Sequence, residues 1–359
     1  MFEHRRIIAH LCNNYSFGAN VQEFASTLLE DLKLPRPAQQ QDLRLLSKVS
    51  KLYYEQELTQ QEIADTQLLS RSKVSRLLQR AQDAGIVHIT VLPPPGIYTD
   101  LEYQLENKFG LREVIVTEAT ELTSQEAISK EIGLAAADYL HRTLRDGDII
   151  GVSWGTTLNA MVSALRPQET QDVHVVQIIG GLGPPEAEVH ATDLCRRMGH
   201  ALRSRLTLLP APGIMDSQQA KEVILCDSYV QGALDLIPDI NVAYIGIGAP
   251  TPTSVIMRDG SIMSQAELDD LLNQGAVGDI ALRFFDADGQ PIHSELDDRV
   301  IGITIEQLKQ IERVVGVAGG PEKDAVIRGA LLGRLIDVLV TDHATAMRLL
   351  EQIPSIPKP

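Results

Sequence analysis

From Glu113 onward the chain repeats one pattern, and that pattern leaves few folds open. Short runs of β-branched and aliphatic residues stand at Glu113–Thr117, Asp148–Ser153, Val173–Ile179, Leu202–Leu209, Val242–Ile247, Val314–Ala318 and Val338–Thr341. Amphipathic stretches of helical period separate most of them. A strand with one wet face alternates apolar and polar residues, whereas most of these runs are largely continuous in apolar residues, so both faces must be covered. Strands alternating with helices meet that demand as a mostly parallel, doubly wound α/β sheet. Ligands of such sheets sit beyond the carboxyl ends of the strands. The residues that follow each run are therefore the first place to look for function.

Those ends carry glycines and hydroxyls. The second run closes as GVSWGTTL, placing Ser153, Gly155, Thr156 and Thr157 where a helix begins. Free N–H groups at a helix start suit an anion, either a phosphate or a polyol oxygen. No Gly-Lys-Ser/Thr follows, so this is not a nucleotide P-loop. The third run ends in Gly180-Gly181-Leu182-Gly183, the fifth in Gly246-Ile247-Gly248-Ala249-Pro250 and the sixth in Gly319-Gly320-Pro321-Glu322-Lys323. The segment GAVGDI brings Asp279. Taken singly, each is explained by a tight strand-to-helix turn. Recurring at strand end after strand end, with Lys323 and two threonines among them, they predict a small-ligand pocket.

The front of the chain has another character. In LTQQEIADTQLLSRSKVSRLLQRAQDA, residues 58 to 84, Thr59 and Glu62 have capping-box spacing and Ile63 and Ala64 give a short helix an apolar face. Ser70 can cap a second helix whose Val74, Leu77 and Leu78 form its apolar stripe. The other face offers Arg71, Ser72, Lys73, Ser75, Arg76 and Arg80. The span from Ser70 to Gln82 holds four cations and no acid, in a chain of formal net charge -16. An acidic body repels phosphate, so nucleic-acid binding must come from this patch as an oriented contact that weakens with salt. Two helices at an angle, the second cationic, fit the major groove of DNA.

These residues resemble the helix-turn-helix of the SorC/DeoR-type sugar-responsive bacterial transcriptional regulators. The family usually has Leu-Gly-Leu before the serine of the second helix, where this chain has Gln67, Leu68 and Leu69. GVSWGTT, GAVGDI, AGGPEK and VTDHAT resemble the effector domain of the same family, which is similar in fold to sugar-phosphate isomerases. The likeness spans about residues 43 to 350. It implies that Ser153, Thr156 and Thr157, with Gly155, hold the phosphate or equivalent end of a sugar, that Lys323 supplies charge, and that Asp279 accepts hydrogen bonds from hydroxyls. Gly248, Gly319, Gly320 and Arg258 complete the implied effector set. Each has a plainer reading: a helix cap for Thr156, a solvated side chain for Lys323, a local turn cap for Asp279.

The implied partners are operator DNA, a sugar or sugar phosphate, and further copies of the chain as a dimer or tetramer. No cofactor is expected, and scattered histidines without i, i+4 spacing give no metal site. The alternative is a phosphosugar isomerase or deaminase with an accessory DNA-binding domain, using Asp279 or Asp342 as base and Lys323 as electrophile. No apolar run reaches about 18 residues, so no membrane span is expected. Cys12, Cys195 and Cys226 form no disulfide framework, which fits a reducing cytoplasm and buried thiols. The expected division is an extension over 1–40 with a helix at Val21–Leu32 and a linker at LPRPAQQQ, a DNA-binding domain over 41–92, a linker and bridging helix over 93–110, and an effector domain over 111–359. Within the second part a short strand or wing is expected at Ile86–Leu92. Leu101, Leu105 and Phe109 are candidates for a bridge or dimer contact.

Overall fold

The computed structural model describes residues 37–167, 172–181, 191–251 and 263–351. The expectations for the first 36 residues lie outside that range. The chain divides into two compact units, residues 1–92 and 93–359.

In the first unit the described residues form three helices, α1 (Pro37–Tyr54), α2 (Gln60–Thr66) and α3 (Arg71–Asp83). Helix α1 takes in the glutamines expected as linker. Leu46, Val49, Ile63, Ala64, Val74, Leu77, Leu78 and Ala81 are the buried core. The Thr59 hydroxyl accepts from Glu62 N–H while the Glu62 carboxylate accepts from Thr59 N–H at 2.8 Å, which completes the capping box. Between α2 and α3 the chain passes through Leu68 at φ 55, with its side chain 93% exposed. That left-handed conformation is where the resembling family places glycine, and adopting it with leucine costs roughly 1–2 kcal/mol. The Leu69 N–H donates to Ala64 O at 2.8 Å and holds the turn. Its geometry is therefore kept without the glycine.

The expected wing is not formed. Ile86 and Val87 pack on the helical core, but residues 86–92 belong to no strand, and Val91 and Leu92 are exposed. Alternating β-branched residues favour extended backbone, yet without a ladder partner extension is not a sheet.

The second unit opens with α4 (Thr99–Phe109), β1 (Glu113–Thr117), α5 (Gln125–Thr143), β2 (Ile149–Val152), α6 (Thr156–Ala164), β3 (His174–Gln177), α7 (Ala191–Ala201) and β4 (Arg205–Thr207). It continues through α8 (Gln218–Leu225), α9 (Ser228–Leu234), β5 (Val242–Gly246), α10 (Gln265–Asn273), β6 (Gly278–Ile280) and β7 (Arg283–Phe285). It closes with α11 (Ile305–Leu308), β8 (Arg313–Val317), α12 (Asp324–Leu332), β9 (Val338–Asp342) and α13 (His343–Glu351). Seven strands make one sheet in the order β1-β9-β8-β5-β2-β3-β4, with every neighbouring pair parallel. The order reverses between β2 and β5: from β2 the chain moves outward to β3 and β4, from β5 to β8 and β9 on the other side. Strands β6 and β7 form a separate antiparallel hairpin that the sequence reading did not anticipate.

Helix α4 packs on the second unit through the apolar residues expected to make a bridge or dimer contact. Leu105 is fully buried, with Leu101 and Phe109 packed on the same core. Its Glu106 and Glu102 carboxylates each accept a backbone N–H of β1, from Val114 and Val116, both at 2.9 Å. An outer strand otherwise exposes such donors to chance pairing. Lys108 Nζ donates to the carbonyls of Leu349 and Leu350 at 2.9 Å each, closing the C-terminal end of α13. Cys195 is buried as expected, whereas Cys226 is exposed.

Helices α5 and α6 meet at Gly133, where a Cβ would stand 2.6 Å from Met161 N and 2.7 Å from Ala160 C. Alanine is the better helix former by about 1 kcal/mol, but here it meets backbone that cannot turn aside. Gly133→Ala is expected to destabilise the second unit by about 1–3 kcal/mol, read by urea unfolding through the fluorescence of Trp154. A gain in stability would mean that the helices part easily.

Candidate functional site

Two separate features arise. On α3, Val74, Leu77, Leu78 and Ala81 face the core, which turns Arg71, Ser72, Lys73, Ser75 and Arg76 outward to solvent. The Ser70 hydroxyl is engaged as the N-cap, accepting from Lys73 N–H at 3.2 Å. Arg76 Nε donates to Ser72 O at 3.4 Å, and Arg80 pairs with Asp42 of α1 at 3.3 Å. Such exposed pairs contribute little stability, and the guanidinium groups keep donors for other acceptors.

The second feature is a cavity of about 430 Å3 at the carboxyl ends of β2, β5 and β8, where the strand order reverses. Gly155, Thr156, Thr157, Gly248, Asp279 and Lys323 all line it. So do Thr123 and Gln125 after β1, Trp154, and Ala281 in the β6–β7 turn. The sequence reading passed over those four, although the carboxyl-end rule applied to the first strand points to Thr123 and Gln125. Ser153 lies one layer down, buried, with its Oγ accepting from Gly246 N–H at 3.1 Å and so tying the end of β2 to that of β5. Arg258 lies outside the described residues.

Gly319 and Gly320 stand behind the cavity wall. A Cβ on Gly319 would lie 2.3 Å from Asp342 Oδ2. The Gly320 N–H donates to Asp342 Oδ2 at 2.8 Å and to Thr345 Oγ1 at 3.0 Å. His343 stacks on Tyr98 with ring centroids 5.2 Å apart, and its Nδ1 accepts from Ala119 N–H at 3.2 Å.

Local geometry explains the polar lining. The cap of α6 falls on Gly155, at φ 139 and without a capping side chain, so the helix begins with its N–H groups uncovered by a side chain. Their partial positive charge favours an oxygen of a ligand. Thr157 Oγ1 is 3.4 Å from Ser129 Oγ, and Gln125 Nε2 donates to Gly319 O at 3.0 Å.

Asp279 is placed by the hairpin. Gly248 and Asp279 exchange backbone hydrogen bonds at 2.9 and 3.0 Å. The approach is so close that a Cβ on Gly248 would lie 2.0 Å from Asp279 Oδ1. Asp279 Oδ2 accepts from Leu282 N–H at 3.1 Å, while Oδ1 has no partner. Burial pushes the carboxyl well above the usual aspartate range, to about 6, against the opposing pull of the Leu282 N–H and the Lys323 ammonium. Lys323 is partly buried, its Nζ donating to Ile247 O at 2.9 Å. Burial draws its pKa below the usual lysine value, with Asp279 and Glu322 acting the other way. A carboxylate with an idle oxygen, an ammonium, hydroxyls and open N–H groups make a cavity that can satisfy a polyhydroxylated ligand.

Among the described residues no cluster of His, Cys, Asp and Glu could hold a metal ion, and no helix is long and apolar enough to cross a membrane. Residues 95–351 match the family model described as "Putative sugar-binding domain". The chain is 33% identical over 310 residues to the deoxyribonucleoside regulator of Bacillus subtilis, covering 86% of this chain and 98% of that protein. It is 35% identical over 317 residues to the sorbitol operon regulator of Klebsiella pneumoniae, with the same coverage of 86% and 98%. The crystal structure of that full-length regulator superposes with a TM-score of 0.66 over 87% of this chain and 100% of its own.

The Asp279 environment gives a pH signature. Between the ordinary aspartate pKa of about 4 and about 6, the folded protein holds a proton that the unfolded chain has released. Stability contributed by this group therefore falls as pH rises through that window, by up to about 3 kcal/mol for a shift of roughly two units. Asp279→Asn is expected to remove this slope, seen as a wild-type minus variant difference in urea unfolding free energy that declines from pH 4 to 6. A flat difference would place the carboxylate in contact with water.

Proposed function

Because this chain belongs to the SorC/DeoR-type family of sugar-binding transcriptional regulators, we propose that it binds operator DNA through α3 and that a sugar or sugar phosphate in the cavity alters its grip. The observation that carries this reading is the joint presence of an outward cationic helix on an acidic protein and a cavity with convergent polar groups at the switch point of the sheet. Arg71, Lys73 and Arg76 supply the charged donors, with Ser72 and Ser75 between them. Two such helices engage half-sites about 34 Å apart, or a multiple of that, so the working form is at least a dimer. It works in the cytoplasm, where its operator lies.

In the cavity the α6 N-terminus and the Thr156 and Thr157 hydroxyls take the phosphate or an equivalent oxygen of the effector. Asp279 Oδ1 accepts from a sugar hydroxyl and Lys323 balances charge. The protein acts by binding rather than turnover. Asp279 and Lys323, the groups an isomerase would use, each spend a hydrogen bond on nearby backbone, and the relatives are named as regulators. Conversion of a pentose or hexose phosphate by the purified protein would favour the enzyme instead.

Arg71→Ala and Arg76→Ala are each expected to weaken operator binding by about 1–3 kcal/mol where the side chain makes a bidentate base contact, measured by fluorescence anisotropy at fixed salt. Unchanged affinity in both would remove α3 from the groove. Thr157→Ala and Lys323→Ala are expected to bind operator normally and lose the effector response, a change of 5–150-fold in DNA affinity for a coupling of about 1–3 kcal/mol. A normal response in both would move the effector elsewhere.

A further inference from the structure

The loop Gly320–Lys323 is cavity wall on one side and part of a buried hydrogen-bond cluster on the other. On the cavity side Pro321, Glu322 and Lys323 face the space a ligand would fill. On the far side Gly320 donates to Asp342 and Thr345, and its carbonyl accepts from Arg348 Nη2 at 3.2 Å. Asp342 is fully buried: its Oδ2 also accepts from Thr345 Oγ1 at 2.6 Å and its Oδ1 from Thr345 N–H at 2.9 Å. The packing here is close. Gly320 sits at φ 108, a Cβ there would be 2.2 Å from Gln125 Oε1, and one on Gly319 would be 2.3 Å from Asp342. A shift of the loop must break bonds to a buried carboxylate or carry that carboxylate along.

Asp342 is followed by His343, whose ring lies flat against Tyr98 with an interplanar angle of 7°. Tyr98 is the N-cap residue of α4 and makes no capping bond with its side chain. Just before it, Gly96 approaches Glu118 so closely that a Cβ would be 2.9 Å from its Oε2. The connector Pro93-Pro94-Pro95 follows directly on the first unit, and a proline run transmits displacement stiffly. A contiguous set of packed and hydrogen-bonded groups thus runs from the cavity loop to the residues where the connector enters the second unit.

We infer that the Gly320 peptide, the Asp342–Thr345 pair and the His343–Tyr98 stack form the mechanical link between cavity occupancy and the DNA-binding unit, with Tyr98 its positioning residue at the connector. The link itself is a property of this fold. Only its use as an effector relay rests on the sugar-sensing reading.

Hydrogen exchange on the full-length protein without any sugar tests the link. Tyr98→Leu is expected to speed exchange at Gly320 and Lys323 at least fivefold and leave β5 unchanged. Tyr103→Leu, on the same helix but exposed, is expected to change neither. Unchanged exchange at Gly320 in Tyr98→Leu, or equal acceleration throughout the sheet, overturns the link. A second arm uses D-sorbitol and 2-deoxyribose 5-phosphate as probes, with sugar binding followed by Trp154 fluorescence and operator binding by anisotropy. Tyr98→Leu and Thr345→Val are expected to bind probe and operator within twofold of wild type, while the probe's effect on operator affinity falls below twofold. A full response in both variants overturns the relay. Failure of both probes to bind wild type overturns the relay for these two sugars and counts against the sugar-sensing reading, while the exchange result alone upholds or overturns the link.

Discussion

The parallel pairing of β2 with β5 is the contact on which the rest of the second unit depends. Ile150, Gly151 and Val152 lie beside Val242, Ala243 and Tyr244. From that pair the chain leaves in opposite directions, so the loops beyond the two strand ends cannot cover each other and a crevice remains. Ser153 Oγ bonds to Gly246 N–H at the very end of the pair, holding the two rims at a set distance. The open start of α6 and the Gly248–Asp279 bridge take their places from those rims. The cavity follows from topology first and from its particular side chains second.

A sheet buried on both faces has to settle its polar groups inside the protein, and this one does so with charged side chains at both ends. Along β1, Glu102 and Glu106 stand in for a neighbouring strand. Beyond β9, Asp342 takes up the Gly320 and Thr345 N–H groups. Below α13, Lys108 and Arg328 take the last carbonyls. Buried carboxylates and ammonium groups are costly unless hydrogen-bonded, and each of these has partners. At Asp279 one oxygen has none, as is also true of Arg328 Nε and Asp324 Oδ1, but among these three residues only Asp279 lines the cavity. Leaving a buried acceptor idle costs about 1–3 kcal/mol, and a ligand hydroxyl that filled the vacancy would recover it.

The central strands were legible because burial on both faces leaves an unmixed apolar run, and β1 begins and ends where its residues suggest. Leu202–Leu209 was read too long: only Arg205–Thr207 pair, since β4 lies at the sheet edge and its neighbours turn away. The β6–β7 hairpin was not legible. A two-residue turn with both residues at positive φ usually announces itself with Asn-Gly, whereas here Ala281 and Leu282 carry φ 51 and 61. The Leu282 N–H bond to Asp279 helps hold that unfavourable turn, so the residue that serves the cavity also shapes its own support. Gly319 and Gly320 were read as lining because glycines end a strand there. Their small size instead admits Asp342 from behind Gly319 and the cavity-lining Gln125 against Gly320, and sequence spacing cannot tell a glycine that faces a ligand from one that makes room for a side chain. The wing at Ile86–Leu92 failed for a related reason, since alternation reports which side chains would share a face but not whether a partner strand exists.

Charge bears on both units at once. With a formal net charge of -16, the protein as a whole is repelled by duplex DNA, and the repulsion extends over about 10 Å at 0.1 M salt. Only an outward cationic surface can offset it, and α3 supplies one because its apolar stripe is used up by the three-helix core. The same background penalises encounters in which any other surface leads. Acidity therefore acts as a filter on orientation, weakening non-specific attachment more than the docked complex. Such a protein needs only a modest rearrangement to leave its site, because most of its surface already opposes staying. For the regulator proposed above, a change of one or two hydrogen bonds at the cavity is then large enough to matter.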